Sequence, residues 1–135
     1  MKTLLLDTHI LLWALLDDAL LKDEVKTMIK DKDTTVYYST LSILEVEIKI
    51  MKHPDQMPLT GERLINHCER AGFWRLDLTT NHILELKKLL RKENTPPHKD
   101  PFDKLMLCQA IVEGMTFITH DERIAEYVAD VIYKI

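Results

Sequence analysis

What most constrains the fold of this chain is its alternation of short apolar runs with longer segments of helical period, with no hairpin turn signal between the runs. Strands joined through helices must pair in parallel, because a parallel partner is reached only by a long crossover. The runs are TLLL at 3–6, TVYY at 35–38, Phe73 to Leu76, Met115 to Thr119, and Val131 to Tyr133 as a final edge strand. Helices are expected from Ile10 to Leu16, over 22–31, and from Ser39 or Thr40 to Lys52. Further helices run from Thr60 to Gly72, from Thr80 onward (carrying Ile83, Leu86, Leu89 and Leu90), from Asp100-Pro101 to Gly114, and over 122–129. Glycine after a helix and proline at its first position are the expected punctuation. The architecture predicted is α/β: a three-layer α/β/α sandwich around a four- to five-stranded, mainly parallel sheet. The whole chain, 1–135, reads as one domain.

Composition narrows the function classes. With 46% hydrophobic residues the chain can bury a sizeable core. No apolar run is long enough to span a bilayer. The opening MKTLLLDTHILLWALL has a signal-like leucine run, but Asp7 and His9 interrupt it and no small-residue cleavage site follows. It is read as a strand and helix of a cytoplasmic protein. Cys68 and Cys108 fall in apolar helical patterns without metal-ligand spacing, so both are expected as reduced, buried thiols. Only three glycines are present and there is no Gly-rich phosphate loop, which argues against a dinucleotide fold. No Gly-x-Ser-x-Gly elbow appears, and neither cysteine has an activating context. The net charge of −4 runs against the basic excess usual in nucleic-acid binding. Basic residues do cluster locally, at Lys87, Lys88, Arg91 and Lys92, then at Lys99 and Lys104.

Four acids stand out by position. Asp7 and Asp121 follow apolar strands, Glu45 lies beyond the first turn of the helix after TVYY, and Asp103 lies in the first turn of the helix after the long polar loop. In an open α/β sheet such positions gather at the carboxyl edge, where ligands bind. Carboxylates crowded there require a positive partner, and a hard divalent cation with oxygen ligands is the economical one. Each acid also has a capping reading. Asp100-Pro-Phe-Asp103 is a good helix start, Ser42-x-x-Glu45 matches a capping box, and Asp7 and Asp121 are placed to cap. Capping alone does not explain why two acids end buried strands, and a Glu45 beyond the first turn gains little from the helix dipole.

Thr8 and Thr119 flank two of the acids and could orient a carboxylate. His9, His98 and His120 fall near the same edge; none is assigned to the metal. His98 and Lys99 precede the acidic helix start, where they contact either a phosphate or only solvent. Trp13 and Trp74 are read as core or interface residues.

The segments LLLDTHILLWAL, YYSTLSILEVEIK, HKDPFDKLMLCQA and FITHDERI resemble, in order and spacing, a PIN-domain protein of the VapC toxin type, in its HxDPFD branch. The resemblance covers nearly the whole chain. It implies that Asp7, Glu45, Asp103 and Asp121 are the metal-binding and catalytic acids, with Asp100 a possible addition. Lys104 stands where arginine is more usual, which keeps the charge but loses a bidentate phosphate fork. The resemblance further implies an endoribonuclease using one or two Mg²⁺ or Mn²⁺ ions. Its partners would be RNA of the translation machinery, a small antitoxin protein, and a second copy in a homodimer.

On that reading two ions roughly 3.5–4 Å apart would activate water and stabilise the leaving oxygen of an in-line displacement. Two alternatives come from other classes. One is an Mg-binding phosphoacceptor signalling domain, which needs its acceptor Asp after a central strand and a Lys after a late one. Taking TVYY as central, that strand ends in Ser39, and FIT leads to Asp121, which counts against it. The other is a protein-binding module whose acids merely cap helices.

Overall fold

The structure, a computed structural model, describes residues 2–135. Its elements in chain order are β1 (Lys2–Leu6), α1 (Thr8–Leu15), α2 (Asp23–Lys30), β2 (Thr34–Ser39), α3 (Thr40–Lys52), α4 (Gly61–Arg70) and β3 (Trp74–Leu76). Then follow α5 (Thr80–Leu84), α6 (Pro101–Glu113), β4 (Thr116–Thr119), α7 (Glu122–Ala125) and β5 (Ile132–Lys134). All four strand pairings are parallel, in the order β3-β2-β1-β4-β5. This is the α/β/α sandwich expected from the alternation of patterns.

The centre of the sheet is β1, not the TVYY strand. Leu4, Leu5 and Leu6 are all fully buried, as a strand covered on both faces must be. Alternation then sorts them. Leu4 and Leu6 pack with Val36, Tyr38 and Ile118 against α1, α2 and α4, while Leu5 and Phe117 pack with Met106, Leu107 and Ala110 of α6. The polar Thr34 and Thr35 of β2 are only half-buried, as suits a strand nearer the edge.

The order places a switch point between β1 and β4. The chain winds outward from β1 through β2 to β3, then returns to the other side of β1 with β4 and β5. A crevice therefore opens at the carboxyl ends of β1 and β4, where Asp7 and Thr119–Asp121 lie. Gly114 closes α6 in the left-handed region (φ 69°), which permits the sharp return into β4.

Two helices are shorter than their patterns suggest, and for one reason. α5 stops at Leu84 and continues only as a 3₁₀ turn, Glu85–Lys88, before the chain extends at Leu89. α7 stops at Ala125, not 129. The backbones that would have continued these helices bond to each other instead: Lys92 N–H donates to the Glu126 carbonyl (2.7 Å) and Val128 N–H to the Leu90 carbonyl (2.8 Å). Arg91 and Tyr127 form an antiparallel bridge there. The leucine pattern of the first helix misled because its packing runs through His82, which is wholly buried against Glu113 of α6, while Leu84 and Leu90 face outward.

Both cysteines are buried and free. Trp74, expected in core or interface, is 64% exposed on the edge strand β3. Trp13 lies half-buried between the rings of His9 and His120. Among the described residues no helix is long and apolar enough to cross a membrane.

Candidate metal centre

Asp7 is the residue that leaves β1. Its Oδ1 accepts the Thr8 N–H (2.8 Å), starting α1, and its Oδ2 accepts the Thr119 hydroxyl (2.7 Å) from the end of β4. The two strands at the switch point are thus tied through one carboxylate. Thr119 is wholly buried and in turn accepts the Asp121 N–H (3.0 Å). Asp121 caps α7, its Oδ1 accepting the Arg123 N–H (2.7 Å).

Glu45 reaches the same crevice from α3. Its Oε1 accepts the Thr8 hydroxyl (2.8 Å). That hydroxyl has one proton, so the Ser42 hydroxyl 2.8 Å away must donate to Thr8, giving a relay Ser42 → Thr8 → Glu45. The capping box read at Ser42-x-x-Glu45 is not formed. Ser39 caps α3, accepting the Leu41 N–H (3.0 Å), which leaves Ser42 and Glu45 inside the helix. Ser39 also donates to Gln109 of α6 (2.6 Å), which ties the start of α3 to that helix.

Asp103 comes from the first turn of α6. The cap of that helix is Asp100, whose Oδ1 accepts the Phe102 and Asp103 N–H groups (2.9 and 3.4 Å). Asp103 itself is 8% exposed, with Oδ2 3.9 Å from His98 Nε2. Asp7, Thr8, His9, Glu45, Asp100, Asp103, His120 and Asp121 together line a cavity of about 340 Å³. All four acids singled out by sequence therefore meet, with Asp100 at the rim. Lys99 is exposed and Lys104 half-buried, and neither lines the cavity.

The electrostatics are those of a carboxylate cluster short of positive charge. Burial, and then the hydrogen bond to Asp121, pushes Asp103 up to about 10, with further repulsion from Asp7, Asp100 and Glu45. Asp121 moves the other way. Burial opposes its ionisation, but the hydrogen bond from Asp103 and the Arg123 N–H outweigh it and lower its pKa. The two thus share one proton. Burial raises Glu45 to about 7, offset in part by Thr8 and reinforced by Asp7. Burial also raises Asp7, against the bonds from Thr119 and Thr8.

The sequence places His98 near this edge, against either a phosphate or only solvent, and the structure buries it. It lies in the polar loop before α6, yet it is 7% exposed, with Nδ1 3.0 Å from the Tyr127 hydroxyl. His98, Asp103 and Asp121 each bring a possible ligand atom within 4.8 Å of the others. The signal missed was Tyr127, which the pattern placed in a helix that does not extend so far. Ser42 was likewise hidden by its plausible cap reading.

An all-parallel sheet with acids gathered at its switch point defines a class of acid-cluster α/β domains. Within it, residues 4–129 match the PIN domain, and the chain belongs to the PIN-domain family. Its fold is similar to a chain of the Rickettsia felis VapBC2 complex bound to a fragment of its promoter DNA (15% identity, 98% of each chain, TM-score 0.70). It is also similar to a chain of DNA-bound VapBC from Salmonella typhimurium (18% identity, 99% of this chain and 98% of that one, TM-score 0.64). Compared with curated protein sequences, the chain matches none.

Proposed function

We propose that this protein is a divalent-cation-dependent endoribonuclease, the toxin of a toxin–antitoxin pair, acting in the cytoplasm on RNA of the translation machinery. The observation that carries the reading is the convergence of Asp7, Glu45, Asp103 and Asp121 on one cavity from four separate elements. The folds it resembles belong to VapBC complexes, which supports an antitoxin partner; a homodimer is part of the same proposal.

The donor set fits Mg²⁺ or Mn²⁺. Four carboxylates supply hard oxygen ligands, and burial first, with the neighbouring acids adding to it, holds Asp7, Glu45 and Asp103 toward their neutral forms. Asp7, Glu45, Asp103 and Asp121 would hold one or two ions, with Asp100 near the entrance. Bound there, the cation supplies Lewis acidity toward a phosphodiester and lowers the pKa of water. The chain does the positioning. Thr119 fixes one oxygen of Asp7, the Ser42–Thr8 relay fixes Glu45, and the Arg123 N–H fixes one oxygen of Asp121. Three of the four carboxylates are thereby oriented before anything binds, so little ordering is left for the reaction itself.

The phosphoacceptor alternative gains one point from the structure, since the central strand β1 ends in an aspartate. It fails on the other requirement: no lysine lines the cavity. The capping-module reading does not account for Glu45 and Asp103, whose carboxylates cap no helix.

The test is cleavage of structured RNA by purified protein with Mn²⁺ or Mg²⁺, with EDTA, and by Asp7→Asn. The reading requires cleavage that EDTA abolishes and Asp7→Asn lacks; full activity in either case refutes it.

A further inference from the structure

We propose that His98 Nε2 is a nitrogen ligand to the cation held by Asp103 and Asp121, and that it biases this centre toward Mn²⁺ over Mg²⁺. This deepens the metal-dependent reading above and rests on it.

The geometry is specific. The His98 side chain is 4% exposed, and its Nε2 is a buried nitrogen with no hydrogen-bond partner. Such a group is rare in folded proteins, because the desolvation it suffers is not repaid. Its nearest acid oxygen, Asp103 Oδ2, is 3.9 Å away, which is too far for a hydrogen bond. A shared ion with bonds of about 2.1 Å sets adjacent ligands about 3.0 Å apart and opposite ones about 4.2 Å apart. The spacing between His98 and Asp103 is below the 4.2 Å span of one such ion, and Asp121 offers a third donor atom within 4.8 Å of both.

The other side of the ring is built as metal-ligating histidines usually are. Nδ1 meets the Tyr127 hydroxyl at 3.0 Å, and the two rings stand edge to face with centroids 5.6 Å apart. Tyr127 is 5% exposed and lies under the Arg91 guanidinium, 4.7 Å from its ring centroid. A tyrosine hydroxyl can accept as well as donate. When it accepts the Nδ1 proton, the Nε2 lone pair points toward the carboxylates. The Arg91–Tyr127 bridge that shortened α5 and α7 is what brings this tyrosine under the histidine. An imidazole nitrogen suits first-row transition ions and adds little for Mg²⁺, so it should separate the two cations where four carboxylates alone would not.

The experiment is electron spin-echo spectroscopy of Mn²⁺ bound to the full-length, tag-free protein, with the Mn²⁺ and Mg²⁺ affinities measured by titration and competition. Wild type should show ¹⁴N modulation that changes to the ¹⁵N pattern when histidine is ¹⁵N-labelled. His98→Asn should lose it and bind Mn²⁺ about tenfold more weakly, with Mg²⁺ affinity changed less than threefold. His9→Gln and His120→Gln, at the two histidines that line the cavity, should keep the modulation. Tyr127→Phe should weaken Mn²⁺ binding in the same sense as His98→Asn. Mn²⁺ bound without nitrogen modulation, or modulation that survives His98→Asn, overturns the histidine ligand and leaves the carboxylate site standing. No Mn²⁺ binding by wild type overturns both. If His98→Asn does not fold, the His9→Gln/His120→Gln double variant decides: modulation kept there assigns the nitrogen to His98, and its loss there overturns the proposal.

Discussion

The Thr119 hydroxyl donates to Asp7 Oδ2 at 2.7 Å, joining the ends of two adjacent parallel strands through residues 112 positions apart in sequence. The same oxygen of Thr119 accepts the Asp121 N–H, so one hydroxyl sets the position of two of the four acids. Thr119→Val removes the donor and acceptor but keeps the β-branched shape. It should lower stability by about 1 kcal/mol and Mn²⁺ affinity by roughly tenfold, with Thr119→Ser restoring most of both. Denaturant melts and calorimetric titration with Mn²⁺ check this; unchanged affinity in the valine variant contradicts the positioning role.

Glu45 depends on a hydroxyl relay of the same kind. Thr8→Val should impair RNA cleavage more than Ser42→Ala, because Thr8 touches the carboxylate and Ser42 acts only through Thr8. A cleavage time course with both variants tests the order. Equal activity of Thr8→Val and wild type would show that Glu45 needs no orientation.

Burying these carboxylates, and crowding them together, costs stability when no cation is bound. Glu45 has a folded pKa of about 7 against an ordinary 4.5, and Asp103 about 10 against 3.8. The folded state therefore binds more protons than the unfolded chain above about pH 4.5. Their contribution is fully present below the ordinary values and is lost as pH rises through the folded ones. Asp121, lowered from 3.8, acts oppositely but only in more acidic solution. In EDTA the melting temperature should fall from pH 5 to pH 8. Glu45→Gln should remove the part of that slope near pH 4.5–7, on the order of 1 kcal/mol after solvent screening. A flat or rising profile is the contrary result.

Cation binding should reverse this behaviour, since the ion competes with protons for the same oxygens. At a hundredfold excess over the dissociation constant, Mn²⁺ should stabilise wild type by about 2.7 kcal/mol. Asp103→Asn should raise the melting point in EDTA and lose the Mn²⁺ increment. Differential scanning calorimetry reads both. If instead that variant melts lower in EDTA, the account of a buried, mutually repelling carboxyl is wrong.

Much of this was legible in the chain. Apolar runs separated by helical periods dictated a parallel sheet, and the position of each acid after a strand or a helix start brought all four to one edge. What periodicity could not show was strand order. A central place for TVYY is the expectation, whereas the position goes to TLLL, the run that is covered on both faces. Nor could it show that two helical patterns would be cut short by pairing between Arg91 and Tyr127, a contact between distant segments that no local pattern encodes. The burial of His98, which the sequence places at this edge against either a phosphate or solvent, is hidden for the same reason. A histidine in a Pro- and Lys-rich stretch reads as solvated until the tyrosine that buries it is placed.

The most direct measurement is an anomalous difference map from a crystal soaked in Mn²⁺. The account predicts a strong peak bounded by the carboxylates of Asp7, Glu45, Asp103 and Asp121, and its loss in Asp7→Asn. Wild-type crystals showing no peak there, with those side chains turned away from one another, would contradict it.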